Sequence, residues 1–241
     1  MKRIGILAHS AEGAALCFLE AVHEGERRLG AHAHPDIVMD IEAMGASMDD
    51  WERGDHAPIA ERFRRAAVRL AVAGAEFFIC PDNTAHMALE AATRKLPLPG
   101  LHVAEVVAEE AARRGFAKIG ITGTLWTMEG PVYPLAFARR GLGHATPKRD
   151  AREDVQRIIF DELVRGQVLE NSRRRLAAIV EGLKRQGCDA VVLGCTELPM
   201  LLGDTTSPLP VLDSTRLLAR AAVDVALGAR PLPAWRGGPL G

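Results

Sequence analysis

The sequence predicts an α/β protein built from parallel sheets with helices on both faces. Short apolar runs such as 4–8 and 190–193 alternate with longer stretches of helical periodicity such as 151–164. This alternation is typical of parallel sheets covered by helices. The run Lys-Ile-Gly-Ile-Thr at 118–122 is also similar to Lys-Arg-Ile-Gly-Ile at 2–6. The internal similarity indicates two related lobes.

Apolar patterning and chain breakers place the elements in order. The predicted strands are 4–8, 37–39, 77–80, an extended segment at 96–101, 118–122, 190–193 and 211–213. The predicted helices are 14–29, 56–73, 85–94, 103–114, the part of 128–140 that follows Pro131, 151–164, 169–186 and 214–227. We expect the inner face of the first helix to carry Leu16, Leu19, Ala21 and Val22, and 42–55 to be a loop.

The Pro- and Gly-rich segment 96–101 marks a crossover between the lobes. We therefore expect a first lobe of 1–97 plus 208–241 and a second lobe of 98–207. A chain of 241 residues with 48% hydrophobic and 25% charged residues is long enough for this arrangement.

Composition narrows the class of protein. A formal net charge of −1 gives no electrostatic reason to expect nucleic acid or a membrane surface as partner. The four cysteines show neither zinc-ligand spacing nor a C-x-x-C pair. This pattern is typical of reduced thiols in a cytoplasmic protein. The apolar runs are too short for a signal peptide or a membrane span.

Two segments carry the candidate chemistry, and each consists of an apolar run followed by a small polar turn. The first, at 77–86, reads Phe-Phe-Ile-Cys-Pro-Asp-Asn-Thr-Ala-His, and the second, at 191–199, reads Val-Val-Leu-Gly-Cys-Thr-Glu-Leu-Pro. Ligands of open α/β sheets bind beyond the carboxyl ends of the strands. We therefore expect Asp82 and Cys195, each at the start of a helix, to contact the same small molecule.

The chain resembles the aspartate/glutamate racemase superfamily over nearly its whole length. The resemblance rests on Asn-Thr-Ala-His at 83–86, on Gly123 and Thr124 with Thr127, and on Gly-Cys-Thr-Glu-Leu-Pro at 194–199. It implies two Rossmann-like or flavodoxin-like lobes with the active site in the cleft between them. It also implies a homodimer that inverts the α-carbon of an amino acid with two bases and no cofactor.

This sequence departs from the family pattern at two places. The family usually has a cysteine immediately before Asn-Thr, where this chain has Asp82, and Cys80 lies two residues earlier, about 6–7 Å away along a strand. A one-thiol variant with Asp82 and Cys195 as the catalytic pair is therefore implied. The family's lysine for acidic substrates corresponds to Val164, and no arginine equivalent stands in 39–50. An acidic substrate is therefore not implied.

The chemistry assigns a role to each candidate. Partial burial is expected to raise the pKa of Asp82, and a helix N-terminus to lower that of Cys195. Glu197 is expected to hold the substrate ammonium or to orient His86, a supporting residue. The other substrate-binding candidates offer hydroxyl, amide or backbone N–H donors: Ser10, Asn83, Thr84, Thr124, Thr127 and Thr196. We find no metal-ligand set, phosphate-binding glycine pattern or pyridoxal phosphate lysine.

Several alternatives remain open at this point. Without the flanking Gly, Thr and Glu residues, Cys195 would be interpreted as a buried core cysteine. Asp82 has the alternative role of a helix cap. Cys17, Cys80 and Cys188 are interpreted as structural. The leading function is a racemase or epimerase acting by two-base proton transfer. The alternatives are a one-thiol isomerase or arylmalonate-type decarboxylase of the same superfamily, and a non-catalytic protein that binds small carboxylic acids.

Overall fold

The computed structural model describes residues 1–92 and 94–235 and divides the chain into two compact units. The strands are β1 (Ile4–Ala8), β2 (Ile37–Ile41), β3 (Phe77–Ile79), β4 (Gly100–Leu101), β5 (Lys118–Gly123), β6 (Gly143–Ala145), β7 (Ala190–Gly194) and β8 (Val211–Asp213). The helices are α1 (Ala11–Leu29), α2 (Met48–Arg53), α3 (His56–Val72), α4 (Ala85–Ala91), α5 (Val103–Arg113), α6 (Leu125–Glu129), α7 (Val132–Ala138), α8 (Arg149–Arg157), α9 (Glu170–Arg185) and α10 (Ser214–Ala226).

The first unit consists of 1–103 and the described residues from 215 onward, and the second consists of 104–214. The predicted lobes instead divide the chain after 97 and after 207. The part of the predicted first lobe at 236–241 lies outside the described residues.

The sheet of the first unit has the strand order β2-β1-β3-β4 and is parallel throughout. All residues of β1 and β3 are buried. Strands that are covered on both faces need such continuous apolar runs, because no side of the strand faces water. The second unit repeats this plan with the order β6-β5-β7-β8, also parallel. The α/β prediction is confirmed.

Helix α1 packs through small residues, and this corrects the predicted inner face. Leu19 is 49% exposed, whereas Gly13, Ala14, Cys17, Ala21 and Gly25 are buried. These small residues recur at helical spacing, so they form one stripe on the helix. Other segments of the same polypeptide approach the helix closely along this stripe. At Gly25 a Cβ would lie 2.5 Å from the Cβ of His34. Close approach, rather than side-chain bulk, therefore selects the buried face.

The segment predicted as a loop at 42–55 is largely helical. A 3-10 turn covers Met44–Ser47, and α2 follows it directly. The prediction was wrong because both pieces are too short to show a period, and because α2 is held by one buried side chain, Trp51, which is 3% exposed. Asp55 then caps α3 by accepting the N–H of Ala57 at 3.2 Å.

The second unit contains further differences from the expected elements. Strand β6 was not predicted, since its Gly-His-Ala sequence has no apolar run and lies at the sheet edge. Helix α8 is shorter than the predicted 151–164 and continues as a π-helical turn at Ile158–Glu162 and a 3-10 turn at Leu163–Arg165. Val164, the residue at the expected lysine position, lies in that last turn and is 40% exposed.

The close approach at α1 gives a testable pair of substitutions. Gly25→Ala is expected to destabilise the protein by about 1–3 kcal/mol, because the added methyl overlaps His34. Gly182→Ala in α9 is the matched control, since its Cβ would meet nothing nearer than Arg185 Nη2 at 3.8 Å. The control is expected to be stabilising by up to about 1 kcal/mol through helix propensity. Urea unfolding followed by circular dichroism measures both, and equal effects would contradict the packing argument.

Candidate active site

The carboxyl edge of the first sheet brings together two residues that are 73 positions apart in the chain. Strands β1 and β3 are parallel, and Ile6 pairs with Ile79. His9 and Asp82 each stand three positions beyond this pair, so the register carries both side chains to the same place. His9 was not among the sequence-predicted site residues. The signal that was available is its position immediately after the first strand.

His9 and Asp82 form a short hydrogen bond, with Nδ1 and Oδ2 separated by 2.6 Å. The two side chains are only 8% and 13% exposed. Since an ionised carboxylate can only accept, His9 Nδ1 is the protonated nitrogen. The contact is therefore charge-assisted, which is the stronger class of hydrogen bond.

Asp82 also begins α4 by accepting the N–H of Ala85 on Oδ1 at 3.0 Å. Burial alone raises the pKa of this carboxyl, but the electrostatic interaction and hydrogen bond with His9, together with the N–H of Ala85, outweigh burial, so that the pKa is lowered. The expected rise of the Asp82 pKa is therefore wrong. The contact with Ala85 supports the interpretation of Asp82 as a helix cap. The lowered pKa and the position at the strand end are compatible with the interpretation of Asp82 as a base.

His86 stabilises the turn at Asp82 by a hydrogen bond to its backbone. Its Nδ1–H donates to the backbone oxygen of Asp82 at 2.8 Å, and its Nε2 accepts the N–H of Val103 at 3.1 Å. The ring stacks on Trp235 with centroids 5.5 Å apart. Burial, followed by the neighbouring His102, lowers the pKa of His86 to about 3. His86 is therefore neutral at ordinary pH and structural in these contacts.

The second sheet carries Cys195 immediately after β7. The Cys195 thiol donates to Glu197 Oε2 at 2.8 Å, and the Thr196 hydroxyl donates to the same oxygen at 2.7 Å. Glu197 is buried, with 6% of its surface exposed. A buried carboxylate needs donors, and the thiol and hydroxyl supply them. In this arrangement Cys195 carries its proton.

The expected helix at Cys195 is wrong. The residues that follow form only a 3-10 turn at Leu198–Met200, so the aligned peptide dipoles of an α-helix N-terminus do not reach the thiol. The thiol instead donates to the carboxylate of Glu197. At the first motif a helix does follow, although α4 ends at Ala91 rather than near Arg94.

Two glycines allow the second motif to form. Gly123 and Gly194 are paired in register between β5 and β7. A Cβ at Gly123 would lie 2.6 Å from the oxygen of Gly194, and one at Gly194 would lie 2.8 Å from the oxygen of Thr122. Because only glycine fits here, the two strand ends approach closely and place Thr124 in register with Cys195.

The remaining candidates fall at one edge or the other. Thr124 caps α6 by accepting the N–H of Thr127 at 3.2 Å, and their hydroxyls are 3.1 Å apart. Asn83 is buried, and Thr84 precedes α4 without a side-chain cap bond. Ser10 precedes α1, and its backbone oxygen accepts the N–H of Ala14 at 3.1 Å. The first unit thus holds five strand-edge residues, His9 included, and the second holds Thr124, Thr127, Cys195, Thr196 and Glu197.

The other three cysteines are buried side chains. Cys17 and Cys80 are fully buried and Cys188 is 4% exposed. Burial raises the pKa of Cys80 well above its usual value and raises that of Cys188. A raised pKa disfavours the reactive thiolate, in agreement with a structural role.

Over 1–92 and 94–235, no cluster of three or more His, Cys, Asp or Glu side chains has the arrangement of a metal site. Within the same part of the chain, none of the helices combines the length and the apolar character that a membrane span requires.

A family model described as "Asp/Glu/Hydantoin racemase" matches residues 9–222. The chain belongs to this family. The racemase-family chain is 24% identical over 173 residues to the broad specificity amino-acid racemase RacX of Bacillus subtilis, covering 72% of this chain and 74% of that one. It is 30% identical over 198 residues to a glutamate racemase of Pseudomonas putida, covering 78% and 71%.

Solved structures agree with the family assignment. A Yersinia pestis protein provisionally described as an Asp/Glu racemase superimposes with a TM-score of 0.85 at 31% identity, covering 94% of this chain and 100% of that chain. The predicted resemblance is confirmed, and with it the prediction of an isomerase at the level of the racemase family. The catalytic pair and the one-thiol variant remain predictions.

The low pKa of His86 predicts a pH dependence of stability. Because the folded pKa of about 3 lies below the usual value of 6.5, the unfolded chain binds a proton that the folded protein does not between these values. Stability is therefore lost as the pH falls below about 6.5, with a slope of up to about 1.4 kcal/mol per pH unit from this group. We expect His86→Asn to reduce this slope, measured by urea unfolding from pH 7 to pH 4.

The exposed His32 provides the control, because its side chain is 96% exposed and its backbone, at φ 63°, tolerates Asn. His32→Asn is expected to leave the slope unchanged. If His86→Asn has the same slope as the parent protein, His86 is not a neutral buried group.

Proposed function

We propose that this racemase-family protein is a cofactor-independent amino-acid racemase or epimerase in which Asp82 and Cys195 exchange protons with the substrate α-carbon. One observation carries the proposal: at the two motifs, a carboxylate is held in the base form and a thiol carries its proton. Inversion needs these two species, since a base removes a proton from one face and an acid returns one to the other. The proposal requires both groups to act on one substrate molecule.

The proton steps balance without any cofactor. The Asp82 carboxylate takes the proton from Cα, and the electron pair of that bond passes to the α-carboxylate as an enediolate. The Cys195 S–H then delivers its proton to the opposite face of Cα and becomes a thiolate. In the reverse direction the thiolate is the base and the protonated Asp82 is the acid.

Charge that develops on the substrate carboxylate has to be stabilised by fixed donors. We assign this task to the hydroxyl, amide and backbone N–H groups of Ser10, Asn83, Thr84, Thr124, Thr127 and Thr196. Thr124 and Thr127 form one hydroxyl pair, 3.1 Å apart, beside the β5 end. Glu197 is assigned to the substrate ammonium. Its Oε2 already accepts from Cys195 and Thr196, so ammonium binding is also expected to influence the thiol.

The substrate side chain is the open part of the proposal. One relative is a broad specificity amino-acid racemase and another a glutamate racemase, so the names of the relatives do not indicate one particular side chain. The lysine expected for acidic substrates is replaced by Val164. We therefore propose an amino acid whose side chain is not acidic, and the screen must include basic, neutral and acidic compounds.

The test incubates single enantiomers of the proteinogenic amino acids with the protein in deuterated water. Chiral chromatography measures inversion, and mass spectrometry measures deuterium at Cα. Asp82→Asn and Cys195→Ala are each expected to lower the inversion rate at least about a hundredfold. Each variant keeps one of the two groups, so residual deuterium exchange is expected with opposite enantiomers in the two variants.

Cys188→Ala is the matched control, because this buried cysteine precedes β7 and Cys195 follows the other end of that strand. It is expected to retain full activity. Full inversion by both Asp82→Asn and Cys195→Ala would contradict the proposed pair. Release of carbon dioxide from 2-substituted malonates, without inversion, would instead indicate the decarboxylase alternative. Ligand binding that is indifferent to Cys195→Ala, without turnover, would indicate a non-catalytic binding protein.

We further propose that the protein is a homodimer in the cytoplasm. The dimer follows from the family resemblance, and the reduced, buried thiols of Cys17, Cys80 and Cys188 suit a reducing compartment. Light scattering after size exclusion measures the assembly, and a monomer at micromolar concentration would contradict this part.

A further inference from the structure

His9 is a buried titratable side chain that the proton steps above do not use. Its Nδ1 lies 2.6 Å from Oδ2 of Asp82, the proposed base, whereas the Ala85 nitrogen lies 3.0 Å from Oδ1. The contact joins two strand ends rather than neighbours in sequence, since 73 positions separate the two residues. Because the two residues are so far apart in sequence, the geometry of a local turn cannot explain their contact.

The imidazole of His9 is itself held in place from its other side. Trp51 Nε1 donates to His9 Nε2 at 3.3 Å, and Ser47 Oγ lies 3.2 Å from the same nitrogen. The ring of Phe63 meets the His9 ring edge-on, with centroids 5.4 Å apart. The indole N–H can only donate, so Nε2 is the acceptor nitrogen and Nδ1 carries the hydrogen that is directed at Asp82.

These supporting residues come from 42–55, the segment whose sequence predicts a loop. Ser47 closes the 3-10 turn, and its hydroxyl also donates to the oxygen of Met44 at 3.0 Å. Trp51 belongs to α2 and is 3% exposed. The short helical segment between β2 and α3 therefore fixes the orientation of one imidazole ring.

We propose that His9 is a positioning residue for Asp82: the ring, fixed by Trp51 and Ser47, donates to Oδ2 and sets the plane in which the carboxylate meets the substrate α-carbon. This inference rests on the proposed function and extends it to a third side chain. Ala85 N–H holds Oδ1 at 3.0 Å, so both carboxylate oxygens are anchored. Each oxygen keeps a further lone pair for the incoming proton.

A positioning role differs from a purely structural one in its electrostatic effect. Burial opposes the ionised form of Asp82, and His9 contributes the two largest effects that oppose burial. Removal of His9 therefore leaves a carboxylate that is less firmly ionised and free to rotate about the Oδ1 contact. A mere packing residue would change stability without changing either property.

Other charged and titratable groups surround the pair. His86 faces Asp82 from α4, and the Cys80 thiol faces it from the end of β3. His56 packs on Trp51, with ring centroids 5.3 Å apart. Glu42 and Arg62 line a small cavity together with His9. These groups are unchanged in the variants below, so their contributions cancel in the comparison.

The experiment compares His9→Ala, which removes the donor, with His9→Asn, whose side-chain amide can replace the Nδ1–H. His32→Asn is again the control, at an exposed histidine. The titration of Asp82 is followed by carbon NMR of ¹³C-labelled aspartate carboxyls, assigned with Asp82→Asn. The same proteins are assayed for kcat and KM against pH, with the best substrate from the enantiomer screen.

For His9→Ala we expect the Asp82 midpoint to rise by about one pH unit or more, because the donor that opposes burial is gone. The acid limb of the kcat/KM profile is expected to move with it. We also expect kcat to fall about tenfold or more, with a smaller change in KM, since His9 acts through the base rather than on substrate binding. His9→Asn is expected to recover part of each loss, and His32→Asn to match the parent protein.

An unchanged Asp82 midpoint and unchanged kcat in His9→Ala would overturn the positioning role. A loss of kcat that His9→Asn does not relieve, with an unchanged midpoint, would also overturn it. If the parent protein inverts no amino acid, the proposed function is wrong, and His9 then has no role in catalysis. The carboxyl titration needs no substrate, so it distinguishes that failure from the absence of His9–Asp82 coupling.

Discussion

Parallel strand pairing is the constraint on which the candidate site depends. In each unit, two central strands end at the same sheet edge, and the residues that follow them are brought together by register. Ile6 paired with Ile79 carries His9 to Asp82, and Gly123 paired with Gly194 carries Thr124 to Cys195. The side chains that do the proposed chemistry are therefore set by backbone hydrogen bonds several residues away.

A buried carboxylate requires donors, and each unit meets this requirement differently. At Asp82 the donors are an imidazole and a backbone N–H, and they favour the ionised form. At Glu197 the donors are a thiol and a hydroxyl, so the carboxylate keeps the proton on Cys195. The same physical demand thus favours an ionised carboxylate at one edge and a protonated thiol at the other. The proposed mechanism uses this difference, because it assigns the base to one group and the acid to the other.

The sequence predictions succeeded where the signal is local. Apolar runs identified β1, β3, β5 and β7 because buried parallel strands are continuously apolar. The predictions were wrong where tertiary contacts decide the outcome. The helix at Met48–Arg53 is held by Trp51, and the helix expected at Cys195 is replaced by a short 3-10 turn. The expectation from burial alone was a raised pKa for Asp82, whereas the pKa is lowered. The local sequence around Asp82 does not show that His9 is its partner.

The sequence by itself determined the α/β alternation, the two motif turns and the family, because each of these is written in residues that are neighbours along the chain. Only the tertiary structure decided which side chains become partners. His9 and Asp82 are 73 positions apart, and their contact depends on strand pairing and on the exclusion of water around them. Hydrogen-bond donors and burial fix the protonation state of a carboxyl, and neither is defined until the strands have paired.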